Sequence, residues 1–285
     1  MPIKLNQSGW PTWLTRIFPS VADPRNCIGN KGLSPSEFSN AISSFKFGRT
    51  FKSTGQGRHQ LTADYLSKKN FTSPPVVLDI GASDGITSVD LIDRLSFKKY
   101  FVTDLYWDVS MIPIGDSAYF YNGTECILIV SDRVVVYADD KGAIFPFGCL
   151  ANRAISRKPA LDGTEIHLSL VNPLLREKKE RNDNIEIHTY DVFHPWPEEK
   201  ADLILAANIL NKGYFDSTDL RRALDNIFTA LKEGGTFVVV DNRDTENATI
   251  FQQGQETLRV EKQINKGTEI CDLILDSYSA SQQPI

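Results

Sequence analysis

The chain has 285 residues, 41% of them apolar and 24% charged, with a formal net charge of −5. That length can bury a sizeable core, the composition is that of a folded globular chain, and the acidic balance argues against a nucleic-acid partner. No apolar run approaches the roughly 18 residues of a membrane span. The start lacks a basic-then-apolar leader, and neither the four scattered cysteines (Cys27, Cys126, Cys149, Cys271) nor the four histidines are spaced for metal or redox work. The expectation is a cytoplasmic protein with no metal, no membrane and no nucleic acid.

Residues 1–70 open with an irregular, aromatic stretch around Trp10-Pro11-Thr12-Trp13. Ser34-Pro35-Ser36-Glu37 then reads as a capping box with proline at the first helical position. Phe38, Ala41, Ile42 and Phe45 continue at i, i+3, i+4, i+7, which predicts a helix stopped by Gly48. Lys46, Arg49, Lys52, Arg58 and His59 follow within 14 residues that hold no acid. This helical and basic segment is expected to form a lid, with Arg49 and Arg58 holding an anionic group of a substrate. A solvated loop without a ligand is the alternative.

The most informative stretch is Val76-Val77-Leu78-Asp79-Ile80-Gly81-Ala82-Ser83-Asp84-Gly85. Its apolar start predicts a parallel strand buried on both faces, and its glycine turn runs into a helix beginning near Ile86. Such a turn lets a ligand approach the backbone at a helix N-terminus. It is not the G-x-G-x-x-G of a dinucleotide site, and Asp79 would repel a pyrophosphate, so a cationic ligand suits it better.

Tyr100–Asp104 reads as a second strand ending in an acid, 25 residues after Asp79. From Asp104 to Asp191 is 87 residues, about twice the need of one crossover helix. Within that stretch Cys126–Val130, Val134–Tyr137 and Ala143–Phe147 predict an inserted antiparallel meander, and the crossover helix resumes near Pro173. The meander could serve as a lid, as a surface for a homodimer, or as an elaboration. Ile185–Thr189 predicts a third strand leaving through Asp191 and Val192, and Ala201–Ala207 a fourth leaving through Asn208. Leu220, Ala223, Leu224, Ile227, Phe228 and Leu231 mark one helical face, with a cap among Asp216, Ser217 and Thr218 and a stop at Gly234-Gly235. Thr236–Asp241 predicts a fifth strand, and Thr257–Ile264 with Glu269–Leu275 a closing hairpin.

This series, over about residues 70 to 275, resembles the class I S-adenosylmethionine-dependent methyltransferases, whose first motif is an acid followed by Gly-x-Gly-x-Gly. Asp79, Gly81 and Gly85 match it, and Ser83 stands for the middle glycine. The resemblance implies an α/β, Rossmann-like seven-stranded, mostly parallel sheet with a C-terminal antiparallel hairpin. It implies a methyltransferase domain over 71–285, interrupted at about 107–170 and preceded by the 1–70 extension. S-adenosylmethionine is the implied cofactor. Asp104 would then meet the ribose hydroxyls, Asp191 and Val192 the adenine, and Asn208 would stand where the fourth strand faces the transferred methyl group.

The implied reaction is methyl transfer to a small acceptor. Positioning alone suffices for a carboxylate, whereas a hydroxyl needs a base. His59 and Tyr214 are the base candidates. The fourth strand leaves as Asn208-Ile209-Leu210-Asn211 without the Asn/Asp-Pro-Pro-aromatic motif of some amino-group methyltransferases, which turns the expectation toward O- or carboxyl-methylation. A short stretch around Asp191–Phe215 is similar to chemotaxis-receptor glutamate methyltransferases, but residues 1–70 lack their helical domain pattern and the likeness assigns no protein substrate; a protein side-chain methyltransferase is an alternative reading. A nucleotide- or NAD(P)-binding enzyme, or a non-catalytic binding protein on a related sheet, are the other readings.

Overall fold

The computed structural model describes residues 3–30, 32–138, 155–156, 158–242 and 245–281. The chain divides into two compact units, Met1–Gly55 with Tyr106–Pro173, and Gln56–Leu105 with Leu174–Ile285. In chain order, β1 (Ile3–Asn6), a short helix α1 (Thr12–Ile17), β2 (Ser20–Val21), α2 (Pro35–Ile42), β3 (Lys46–Phe47) and β4 (Thr50–Phe51) come first. Then follow α3 (Gln60–Lys68), β5 (Val76–Ile80), α4 (Ile86–Ile92) and β6 (Lys99–Asp104). The strands β7 (Asp108–Ile114), β8 (Ser117–Asn122), β9 (Glu125–Val130), β10 (Val134–Tyr137) and β11 (Ile166–Ser169) form the inserted stretch. The chain closes with α5 (Pro173–Arg181), β12 (Ile185–Thr189), β13 (Ala201–Ala207), α6 (Ser217–Ala230), β14 (Leu231–Asn242), β15 (Glu246–Gln253), β16 (Leu258–Ile264) and α7 (Cys271–Ser281).

The sheet of the second unit runs β12-β6-β5-β13-β14-β15-β16. The first four pairings are parallel and the last two antiparallel. It is thus the mostly parallel, seven-stranded sheet with an antiparallel end that the sequence implied. One face carries Val76, Leu78, Phe101, Ile204, Phe237 and Val239, which pack with Leu220, Leu224, Ile227 and Phe228 of α6 and Ile274 and Tyr278 of α7. Each such side chain contributes roughly 1.5–3 kcal/mol by leaving water, so this cluster is the main reason the sheet stands. Asp216 caps α6 by accepting the Thr218 and Asp219 N–H groups, both at 2.9 Å.

Several boundaries differ from the sequence expectation. The closing hairpin is β15–β16, and residues 271–281 form a helix. The reason is legible afterwards: Ile270, Ile274, Ser277 and Tyr278 are buried at i, i+4, i+7 and i+8, a helical period. Gly234-Gly235 do not stop α6, which ends at Ala230 before β14 begins at Leu231. Gly48 does not stop α2 but belongs to the β3–β4 turn, six residues past Ile42, where the helix ends. The expected strand Ala143–Phe147 and Cys149 lie outside the described residues.

The first unit holds its own seven-stranded sheet, β11-β7-β8-β9-β10-β1-β2, antiparallel except for β1–β2. The meander expected from β9 and β10 is therefore longer, because β7 and β8 precede it and β1 extends it. Phe38 and Ile42 of α2 pack with Phe45, Phe120, Leu128 and Tyr137 in its core. The capping box of α2 is present in full: Ser34 Oγ accepts the Glu37 N–H (3.3 Å) and Glu37 accepts the Ser34 N–H (2.9 Å).

Candidate active site at the carboxyl ends of the parallel strands

Strand β5 joins β6 on one side while its other neighbour, β13, leads on to β14. The connections part between β5 and β13, and a crevice outside the carboxyl ends at such a switch point is where open α/β sheets bind ligands. On the β5 side, residues 81, 83 and 85 all have left-handed backbone, with φ of +72°, +61° and +85°. Gly81 and Gly85 supply this freely; Ser83 does so at a cost, and its N–H is held by Asp104 Oδ2 at 2.8 Å. Asp84 bonds the N–H of Ile86 at the start of α4 (3.0 Å).

Asp79 is 2% exposed. Its Oδ2 accepts from Ser88 Oγ of α4 (2.7 Å) and from the Tyr100 hydroxyl of β6 (3.2 Å). Burial pushes the carboxyl up to about 6, against the pull of those two hydroxyls. Thr103 ties the same place together, its hydroxyl on Asp79 O (2.9 Å) and its carbonyl on the Ala82 N–H (2.8 Å). Tyr100, Ser88 and Thr103 were not singled out from the sequence, because two strand positions and one helix position meet Asp79 only in the folded chain.

Along the edge, Asp104 ends β6 opposite Thr189 of β12. Asp191, two residues on, accepts the Phe193 N–H (3.0 Å) and lies 3.1 Å from His194 Nδ1. Val192 is buried, its carbonyl accepting from Asn226 of α6 (3.0 Å). On the far side, Asn208 follows β13 with φ +59°; its N–H bonds Val240 O (2.7 Å) and its Oδ1 accepts the Asn242 N–H (2.7 Å).

Asn242 links this edge to the segment before α3. Its Nδ2 donates to Arg58 O (2.6 Å), and Arg58 Nη2 donates to Asn242 O (3.1 Å). Gly57 N–H bonds Asp90 of α4 (2.7 Å), and Glu246 takes the Leu61 and Thr62 N–H groups at the start of α3 (2.9 and 2.7 Å). Burial lowers the Arg58 pKa, with Tyr214 acting in the opposite sense. His59 is buried, with Nδ1 lacking a hydrogen-bond partner among the described residues, and burial assisted by the Arg58 charge pushes its imidazole down to about 4. Tyr214 lies in the loop after β13, its N–H on Asn211 O (3.1 Å). Arg49 is exposed on the β3–β4 turn and belongs to the first unit. Asn242, Glu246 and Asp90 escape a sequence reading because their roles depend on partners up to 185 positions away.

The two glycines play different parts. A Cβ on Gly85 would stand 2.2 Å from Leu175 Cδ2, so that glycine lets α5 pack against the start of α4. A Cβ on Gly81 would stand 2.7 Å from Ile209 Cδ1, so that glycine lets the chain leaving β13 pack over the end of β5. S-adenosylmethionine fits this donor set: a buried acid suits its positive groups, and Asp104 on the neighbouring strand end can accept from ribose hydroxyls. Among the described residues no cluster of three or more His, Cys, Asp or Glu is arranged for a metal ion, and no helix is long and apolar enough to cross a membrane.

A family model described as a methyltransferase domain matches residues 147–239, about a third of the chain. No curated protein matches. Among solved structures, the chain is similar to the N-methyltransferase NodS from Bradyrhizobium japonicum WM9 bound to S-adenosyl-L-homocysteine, at 17% identity over 66% of this chain and 64% of that one (TM-score 0.33). An O-methyltransferase family protein from Burkholderia thailandensis aligns at 13% identity over 64% and 37% (TM-score 0.34), and the mitomycin 7-O-methyltransferase MmcR at 16% over 66% and 37% (TM-score 0.36). The chain thus spans between about a third and two thirds of the length of these structures. The stretch that matches the methyltransferase-domain model contains β12, β13 and most of β14, the strands that lead to Asp191 and Asn208.

Proposed function

We propose that the protein methylates an oxygen of a small acceptor, a carboxylate or a hydroxyl, at the crevice between β5 and β13. The observation that carries this reading is Asn208. Its Oδ1 accepts the Asn242 N–H at 2.7 Å, which turns the side chain toward the β14 end and uses one of the oxygen's two lone pairs. With Asn208-Ile209-Leu210 in place of a Pro-Pro turn, this supports oxygen over nitrogen.

The cofactor supplies an electrophilic methyl group, so the chain's task is alignment and exclusion of water. Asp79, Gly81, Ser83 and Asp104 are the residues assigned to the cofactor, with Asp191 and Val192 beyond them; Gly85 acts through packing. Arg58, hydrogen-bonded into this edge, is assigned to the acceptor's anionic group, and Arg49 carries the same assignment from the sequence. A carboxylate acceptor needs no base. For a hydroxyl, His59 and Tyr214 are the base candidates, and the burial that pushes His59 down to about 4 makes it a weak base there.

The test is incubation of the protein and methyl-labelled S-adenosylmethionine with a metabolite pool and, separately, with a proteome extract. Alkali-labile label released as methanol from the metabolite pool, or label in an aryl or alkyl ether, is the expected result. Label confined to protein, or to alkali-stable methylamines, would overturn the proposal.

A further inference from the structure

We infer that Ile209 sets the size of the S-alkyl group the cofactor site admits, making it a specificity-determining residue. The inference rests on the cofactor assignment and is independent of the acceptor. Four neighbouring strand ends, β12, β6, β5 and β13, present in order Asp191 and Val192, then Asp104, then the Asp79–Gly81 turn, then Ile209. Three strand spacings cover about 14 Å. With Asp191 and Val192 assigned to the adenine and Asp104 to the ribose, the sulfur end of the cofactor falls at the β5–β13 crevice.

Ile209 packs over the end of β5 from the β13 side. Its Cδ1, Cβ and Cγ1 stand 2.7, 3.1 and 3.4 Å from where a Cβ on Gly81 would be, so the side chain lies across the Gly81 Cα. It is half-buried, with one side packed on the core cluster of the sheet. The backbone holding it is fixed on both sides. Asn208 is locked in left-handed conformation by Val240 O and Asn242 N, and its carbonyl accepts from Asn211 Nδ2 (3.1 Å), while Ile209 O accepts the Asn211 N–H (3.1 Å). A β-branched side chain has little χ1 freedom on such a platform, so the wall it forms does not yield easily. An apolar wall opposes an alkyl group without loss, whereas the ammonium and hydroxyls of the ligand require the polar partners found on β5 and β6.

The test is calorimetric titration of the whole chain and its Ile209→Ala and Ile209→Val variants with S-adenosylhomocysteine, S-adenosylmethionine and S-adenosylethionine. One extra methylene at a fixed apolar wall should weaken S-adenosylethionine binding by roughly tenfold or more in the natural protein. Ile209→Ala should bring the ethyl-to-methyl ratio to within about threefold, Ile209→Val should fall between, and S-adenosylhomocysteine, which carries no S-alkyl group, should report that the site is intact. An unchanged ethyl-to-methyl ratio in Ile209→Ala with S-adenosylhomocysteine still bound would overturn the inference alone. No binding of any of the three by the folded natural protein would overturn the cofactor assignment, and the inference with it.

Discussion

The two units each build a seven-stranded sheet, but they treat the ends of their strands differently. In the first unit, Gly48, Gly115 and Gly123 take left-handed backbone in hairpin turns with nothing within 4 Å of a would-be Cβ. Its buried charge is matched, with Asp23 accepting from Asn6 (2.8 Å) and Arg25 (2.7 Å). In the second unit, Gly81, Ser83, Gly85 and Asn208 take left-handed backbone where β5 and β13 end, and a nearly fully buried carboxyl sits beside them, its side-chain partners among the described residues being the hydroxyls of Ser88 and Tyr100. Backbone strain and an unneutralised buried acid persist where the surroundings hold them in place, and they gather at sites rather than in scaffolds. The contrast supports the proposal that the chemistry lies in the second unit.

Glycine substitution breaks this comparison most sharply. Gly81→Ala forces an L-residue to φ +72° and drives a methyl group into Ile209, and we expect a loss of about 3 kcal/mol or more in chemical denaturation. Gly115→Ala meets open space and should lose only about 1–2 kcal/mol. Adding Ile209→Ala should recover part of the Gly81→Ala loss. Equal losses at the two glycines would erase the distinction between site and scaffold.

The buried titrating pair comes next in size. Asp79 has a raised folded pKa, from 3.8 to about 6, so its folded form holds a proton the unfolded chain has released, and stability falls as pH rises from about 4 to 6. His59 has a depressed pKa, from 6.5 to about 4, so its contribution is present above pH 6.5 and is lost as pH falls toward 4. Each amounts to about 3 kcal/mol, with opposite sign over the shared window. From these two groups the natural protein should therefore show a nearly flat stability between pH 4 and 6. Asp79→Asn should leave stability rising with pH there and His59→Gln should leave it falling, each by about 1.4 kcal/mol per pH unit. Denaturant titrations at pH 4, 5 and 6 check this, and parallel profiles for the three proteins would contradict it.

A smaller effect is expected at Asn242. Asn242→Ala removes the Nδ2 bond to Arg58 O, and we expect a loss of about 1–2 kcal/mol. Amide exchange should rise in residues 57–62 while the core of the first unit stays protected. Unchanged exchange in that segment would detach Arg58 and His59 from the edge of the sheet.

Much of this was legible in the sequence because local pattern and tertiary role coincide. The strand Val76–Ile80 is a continuous apolar run, its acid and glycines stand in sequence, and Asp104, Asp191 and Asn208 each follow a recognisable strand. The closing hairpin was misplaced because Glu269–Leu275 is apolar enough to pass for a strand over seven residues, and only the spacing of Ile270, Ile274 and Tyr278 tells otherwise. The strands β7 and β8 were hidden by Pro113 and by polar residues at their ends. The bonds from Asn242 and Glu246 to the segment before α3 join residues about 180 positions apart, which one sequence alone does not reveal.

The most direct measurement is calorimetric titration with S-adenosylmethionine of the natural protein and of Asp79→Ala, from pH 5 to 8. The account predicts binding that strengthens as the Asp79 carboxyl ionises through about pH 6 and levels above it, and a loss of at least about a hundredfold in Asp79→Ala. Binding by the variant as tight as by the natural protein, or no binding by folded natural protein at any pH, would contradict it.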